Sequence, residues 1–401
     1  MALDSYHHGI RVTEINIGTR SLRIPSTAVI GLVATASDAD ATMFPLDTCA
    51  LVTDIDAAIA GAGTKGTLST VLKTIADQCR PVLVIVRIPD GTGGTPEEKA
   101  ASLKSNTIGT NANGKRTGLQ ALLAAKAAVG VKPRILGTPG LEGEEVTAAL
   151  AAVGQRLGAR CYADAMGKDV AEALAYRKKF GARELMLLWP AFQRWDTNAN
   201  KAVTVPASAY ALGMRAAIDQ SMGWHKTISN VPVNGAIGVS ADVTWDLLSP
   251  DNDAGLLNAA GITTIIQEGG YRFWGSRTCS SDPLFAFESA VSTAQVLADI
   301  VPEGLMWASD KPMHPQLAKD IVETIAARLR SLTKEGYLLG GSAWLDVSVN
   351  QTSELKSGRM VIDYDYTFVP PLEDLGLRQR ITDRYFGDFA ALARGNTATV
   401  A

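Results

Sequence analysis

Val82-Leu83-Val84-Ile85-Val86-Arg87-Ile88 is apolar at both sets of alternating positions. A strand with one wet face would alternate, so this run reads as a strand buried on both sides, as in a parallel sheet between helical layers. Similar runs recur at residues 28–34, 134–137, 161–163 and 184–189. Helical stretches separate them. Leu119, Leu122, Leu123 and Ala127 share one helical face, and Gly130 stands where a C′ cap belongs. Residues 144–157 form an alanine-rich helix with acids in its first turn, and residues 169–180 a third ending in Arg177-Lys178-Lys179 and Gly181. Strand–helix–strand alternation predicts an α/β domain with a mainly parallel sheet.

Residues 206–249 are less regular, with a helix at 207–221 and a loop at 231–235. From Gly261 the character changes. Residues 262–267 read as a strand and Gly269-Gly270 as a turn. A helix is expected over 283–300 with Pro302 just beyond, and another over 315–332 with Leu317, Ile321, Ile325 and Leu329 in register. Two alternating strands follow. Ala343, Leu345, Val347 and Val349 share a face in the first, and Ile362, Tyr364, Tyr366 and Phe368 in the second. Such alternation fits an antiparallel sheet buried on one side, hence a smaller α+β domain.

Both termini read as extended arms. Ile10 and Val12 alternate with polar residues, and Ile15 and Ile17 resume after a slip at Thr13-Glu14, with no hairpin partner adjacent. After Pro370-Pro371 the segment holding Arg380, Ile381, Tyr385 and Phe386 is again extended and detached.

The 401 residues are 46% hydrophobic and 20% charged, with a formal net charge of −3. No basic excess marks a nucleic-acid surface. No apolar run approaches the ~20 residues of a membrane span, and no signal peptide is readable at the start. The four cysteines, Cys49, Cys79, Cys161 and Cys279, are scattered without a CxxC and read as small core residues of a protein made in a reducing compartment.

Gly91-Thr92-Gly93-Gly94-Thr95 follows the 82–88 strand, where an α/β enzyme would bind phosphate. It lacks the Walker lysine and is not GxGxxG, so a flexible surface loop is expected. Gly238-Val239-Ser240-Ala241-Asp242 fails GxSxG at its last place. The four histidines are His7, His8, His225 and His314, two of them in the arm, and they suggest neither triad nor metal cluster. Asp251-Asn252-Asp253 lacks the closing glutamate of a calcium loop and reads as a turn or helix cap. No cofactor is expected. The aromatics of 189–195 and 271–274 are expected to be core and interface anchors.

Gly270-Tyr271-Arg272-Phe273-Trp274-Gly275-Ser276-Arg277-Thr278 resembles the signature of contractile phage tail sheath proteins. Residues 5–16 and 363–376 resemble the ends of sheaths from P2-like myophages and R-type bacteriocins. The resemblance implies an N-terminal arm (1–24), an outer α/β domain (25–255), a tube-proximal α+β domain (256–375) and a C-terminal arm (376–401). It implies self-assembly as stacked hexameric rings around an inner tail tube protein, with arms adding strands to neighbouring subunits. It also implies baseplate and tail terminator partners, no enzymatic activity, a place in the virion tail after assembly in the host bacterial cytoplasm, and contraction that drives the tube through the host envelope for genome ejection. The helix carrying Lys319, Arg328 and Arg330 is the expected tube-facing element. An R-type bacteriocin or related injection system is the alternative setting, and an α/β enzyme using the Gly91 loop a remote one.

Overall fold

The doubly apolar runs form one eight-stranded sheet. Its strands are β1 (Ile30–Thr35), β2 (Cys49–Val52), β3 (Leu83–Ile88), β4 (Ile135–Gly137), β5 (Arg160–Asp164) and β6 (Leu185–Leu188). A three-stranded sheet follows from β7 (Phe192–Asp196), β8 (Lys201–Val205) and β9 (Gly238–Val239), and then β10 (Ile262–Gln267) and β11 (Tyr271–Trp274) return to the large sheet. The spatial order is β11-β10-β6-β5-β4-β1-β3-β2. The six inner strands are parallel, and β2 and β11 are antiparallel edges. The computed structural model describes residues 26–384 and 386, apart from 113 and 198. Ile10, Val12, Ile15, Ile17 and Tyr385 therefore lie outside the described residues. The chain divides into two units, one ending at Pro371 and one beginning at Leu372.

Every residue of β1, β3, β4 and β6 is buried, as the sequence pattern requires of strands covered on both faces. On one face Ile30, Leu32, Ile85 and Tyr162 pack with the helices α1 (Leu68–Gln78) and α5 (Ala207–Ser221). On the other, Val33, Val84, Leu136 and Cys161 pack with α3 (Glu144–Leu157). Between these two, α2 (Pro96–Ile108) is a helix that the sequence pattern does not reveal. Its weak amphipathicity hides it, whereas Thr95 and Glu98 start it with a capping box. The other helices used below are α4 (Val170–Arg177), α6 (Asp253–Ala259), α7 (Glu288–Leu305) and α8 (Pro315–Lys334).

A third core joins Val296, Leu297 and Ile300 of α7 to Ile321, Ile325 and Leu329 of α8 and to the small sheet of β12 (Leu338–Trp344) and β13 (Asp363–Phe368). Three expectations change here. The strand expected to open the inner domain, β10, runs parallel to β6 in the large sheet, because residues 262–266 are buried on both faces. Pro302 lies inside α7, since packing of Ile300 and Val301 carries the helix a turn further. The strand read over 343–349 sits five residues earlier. Asp346 and Asn350 fold the chain after Trp344 into a turn, with the Asn350 amide donating to Asp346 O at 2.7 Å and Val361 O at 2.8 Å. Such local side-chain bonds compete with a ladder.

Buried charges fasten this body together. Arg160 of β5 pairs with Asp219 at 2.5 Å, Asp219 with Arg215 at 2.8 Å, and Arg215 with Glu288 at 3.2 Å. Tyr162 donates its hydroxyl to Glu288. Arg215 also donates to the carbonyls of Lys226 and Gly223, and Arg160 to that of Thr27. Arg215 and Asp219 have fully buried side chains. Burial alone would raise the Asp219 carboxyl, but Arg160 and then Arg215 outweigh it and hold it below its usual range. Burial, then Glu288, raises the Tyr162 hydroxyl well above its own. Because Glu288 opens α7, the network ties α7 to β5 and α5. Asp299 of α7 adds a second tie, to Arg134 and, at 3.3 Å, to Lys132. Removing one partner of a buried pair strands the other charge, a loss of about 3–5 kcal/mol. Glu288→Ala should therefore destabilise the folded chain by about that much, measured by chemical denaturation, whereas Arg330→Ala on the surface should cost under about 1 kcal/mol.

A second cluster stands at the carboxyl ends of the parallel strands. The Ser208 hydroxyl lies 2.8 Å from Glu142 Oε1 and 3.0 Å from Asp164 Oδ2. One hydroxyl proton can serve only one of the two carboxyls at a time, and the Ser208 amide donates to Asp164 Oδ1 at 3.0 Å. Burial and then the neighbouring Asp164 push Glu142 up to about 8. The folded chain then holds a proton that the unfolded chain releases from the ordinary carboxylate range upward. Stability contributed by this group is present at low pH and falls from about pH 4.5 to about pH 8. Glu142→Gln should flatten the fall in melting temperature between pH 5 and pH 8 and should match the parent chain at pH 5.

Candidate assembly interface

The small sheet has two strands, and among the described residues both of its outer edges are open. β12 and β13 pair with each other from Leu338↔Phe368 to Trp344↔Asp363, and neither pairs with a third strand among the described residues. A two-stranded sheet is marginal alone. Here α8 supports it, with Leu338 buried against Leu329 and Leu332 in the third core. Gly341 lets the strand approach, because a Cβ there would meet Asp365 O at 2.8 Å and Leu329 at 3.3 Å. Tyr364 and Tyr366 remain only half-buried on the inner face, so the core is incompletely covered at its flank.

Helix α8 shows why its charges separate. Ile321, Thr324, Ile325, Leu329 and Leu332 form its buried face. Lys319 and Arg330, about three turns apart, project together from the opposite exposed face. Arg328 stands roughly 180° round the helix from Lys319 and is half-buried. Its Nε and one terminal nitrogen are enclosed without a hydrogen-bond partner. Arg330 bonds Glu323 at 2.5 Å.

The signature segment is a hand-over from sheet to helix. Gly269 and Gly270 both take positive φ and turn β10 into β11. Phe273 is buried edge-on to Phe192 at 5.4 Å, and Trp274 meets Trp245 at 5.5 Å. Gly275 sits at φ 139°, where a Cβ would come within 3.0 Å of Thr263 Cα, so a side chain is excluded by both conformation and space. Beyond it the chain doubles back. The Thr278 amide donates to Ala286 O at 2.8 Å, the Glu288 amide to Ser276 O at 2.9 Å, and Arg277 lies over the Phe287 ring. The segment thus delivers Glu288 into the buried ion network. Sequence reading singled out the signature but missed Arg215 and Glu288. The available signal was Arg215 with Asp219 at i,i+4 inside an otherwise apolar helix.

In the second unit, residues 372–383 carry neither helix nor strand. Leu375, Leu377, Ile381 and Phe386 are exposed, Ile381 almost completely at 99%, and Arg380 is exposed beside them.

The other sequence candidates resolve into structural roles. The Gly91–Thr95 loop packs on the start of α2, and Glu98 accepts from the amides of Gly94 at 2.7 Å and Thr95 at 3.2 Å. Its own carboxylate occupies amides that a phosphate would need, and residues 92–95 are exposed, as a surface loop should be. Asn252 caps α6 by accepting from the Gly255 amide at 2.8 Å. His225 packs edge-on against Tyr337, and His314 precedes α8 as its cap residue. Among the described residues, no three His, Cys, Asp or Glu side chains gather to hold a metal. Cys49, Cys161 and Cys279 are buried thiols, and burial raises Cys49 to about 11.

Three family models match along the chain. They are the phage tail sheath protein central domain at residues 114–279, the phage tail sheath C-terminal domain at 280–382, and the N-terminal region of tail sheath protein Gp18 domain III at 27–88. The tail sheath protein of Escherichia phage P2 is 52% identical over 396 residues, covering 98% of this chain and all of that protein. The major tail sheath protein of Serratia phage KSP20 is 42% identical, covering 97% of this chain and 99% of its own. Among solved structures, the contracted helical sheath of the anti-feeding prophage superposes with a TM-score of 0.69 at 19% identity, over 94% of this chain and 99% of that one. The fold is thus that of contractile sheaths, and the chain belongs to the phage tail sheath protein family.

Proposed function

We propose that this chain is the polymerising subunit of a contractile phage tail, stacking as hexameric rings around an inner tube and linked by exchanged terminal strands. The observation that carries the reading is the two-stranded sheet β12–β13, with an edge on each side that no strand among the described residues pairs, and a half-covered core. Open edges present unpaired amides and carbonyls that an added strand satisfies. On this reading the N-terminal arm (1–24) supplies Ile10, Val12, Ile15 and Ile17 to a neighbour's sheet. The C-terminal arm (376–401) supplies Arg380, Ile381, Tyr385 and Phe386. Each main-chain bond nets only about 0.5–1.5 kcal/mol, but bonds repeated along a polymer make escape improbable.

The body, from the large sheet to the tube-proximal helices and small sheet, then swings as one about the arm roots near Gly18 and Gly376 while the mesh persists. The extended sheath is metastable, held by tube and baseplate and closed by a tail terminator. Contraction drives the tube through the host envelope for genome ejection, after assembly in the host cytoplasm. Lys319 and Arg330, exposed on one face of α8, meet the tube, and Arg328, on the opposite half-buried side, does not share that face. The phage setting is favoured over a bacteriocin or injection system by the 52% identity to a phage sheath.

Deleting residues 1–18 should leave a folded chain with an unchanged melting temperature but no tubes by electron microscopy. Normal polymerisation by that truncation would sink the arm mechanism. The double reversal Lys319→Glu and Arg330→Glu should lower co-sedimentation with the inner tube at least tenfold. Unchanged binding would remove α8 as the tube-facing element.

A further inference from the structure

Arg328 has an enclosed charge and no counter-charge. On α8 it stands four residues after Thr324 and four before Leu332, both buried, so it belongs to the face that packs on the third core. Its Nε and one terminal nitrogen are enclosed and meet no hydrogen-bond acceptor among the described residues. A guanidinium stays charged at any ordinary pH, and enclosing one without a carboxylate is costly. Acids of the elements packed with α8 are engaged elsewhere. Asp299 of α7 pairs with Arg134 and Lys132, Glu303 pairs with Lys126 at 3.7 Å, and Asp365 of β13 accepts from the Ser342 hydroxyl at 2.8 Å.

The C-terminal segment carries the complementary group. Side chains of a strand alternate between its faces. Read as a strand, this segment puts Leu377, Ile381, Asp383 and Tyr385 on one face and Arg378, Arg380 and Arg384 on the other. Asp383 is the only acid in residues 376–386, and it shares the apolar face. Leu377 is 84% exposed, Ile381 99%, and Asp383 is exposed beside them. The N-terminal arm offers no such group. Its apolar face is Ile10, Val12, Ile15 and Ile17, and Glu14, at the slip, falls with Arg11 and Asn16 on the other.

The small sheet packs one face on α8 and leaves the other, with Leu339, Asp365 and Thr367, exposed. A strand joining its edge therefore turns Leu377 and Ile381 toward α8, carries Asp383 in with them and leaves its arginines in water. We propose that Arg328 receives the Asp383 carboxylate of a second copy when that copy's C-terminal arm adds to the β12–β13 sheet. This proposal rests on the polymerising reading and deepens it. Main-chain bonds hold a strand in many registers, whereas one enclosed ion pair selects the register that matches the charges. Arg328 is then the acceptor's reading residue for the arm.

Full-length variants test the pair, with polymer read by sedimentation and melting temperature read before assembly. Asp383→Lys should keep the parental melting temperature and lower polymer by about tenfold or more. Thr382→Lys, which puts the same charge on the outward face, should polymerise like the parent. Arg328→Met removes an enclosed charge, so its melting temperature should not fall although its polymer should. Adding Arg328→Glu to Asp383→Lys, or Asp383→Leu to Arg328→Met, should raise polymer above both single changes. Asp383→Lys polymerising like the parent, or neither double variant exceeding its single changes, would overturn the pair and leave the polymerising reading standing. Coupling of the two sites in the melting temperature of the unassembled chain would place Asp383 on its own copy and overturn the exchange. A parent chain that forms no polymer would overturn both readings.

Discussion

An unpaired strand edge is the constraint on which this molecule turns. β12 and β13 satisfy each other on one side only, and among the described residues no third strand pairs with their outer edges. Soluble proteins that stay monomeric blunt such edges with short strands, charges or covering loops. Here Leu339 is 62% exposed at the bulge in β12, and the aromatic inner face stays half-covered. A sheet left in that state is suited to receive a strand, and on the proposed reading the strands come from adjacent copies.

The rest of the subunit supplies rigidity. Arg160, Asp219, Arg215, Glu288 and Tyr162 bind β5, α5 and α7 through contacts that only close packing can hold. Burying charges is costly unless every group is matched, so the network adds specificity of arrangement more than net stability. The signature segment brings Glu288 to this network by doubling back between Ser276 and Glu288, and Gly275 permits the turn. On the proposed reading, a body fastened at both Glu288 and Asp299 moves as a unit, and large changes of subunit orientation fall on the arm roots.

The large sheet was legible because strands apolar on both faces leave a pattern that no surface strand shares, as in residues 82–88 and 184–189. The helices read at 144–157, from its alanines and first-turn acids, and at 207–221 span those same residues in the structure. The misplaced β12 was not, because Gly340 and Gly341 argue against a strand by propensity while fitting the close approach to Leu329. α2 was hidden by its solvated surface. The buried ion network was invisible because its members are distant in sequence and meet only through the fold. Of the charges assigned to the tube-facing helix, Lys319 and Arg330 share an exposed face, and a helical-wheel reading alone would have separated Arg328 from them.

The most direct test is a near-atomic reconstruction of the assembled sheath, with the chain traced continuously from residue 1 to residue 401. The account predicts that residues 8–18 and 377–386 of each copy run as strands along the β12 and β13 edges of neighbouring copies, in extended and contracted forms alike. Both arms folded onto their own copy's sheet, with no strand shared between subunits, would contradict it.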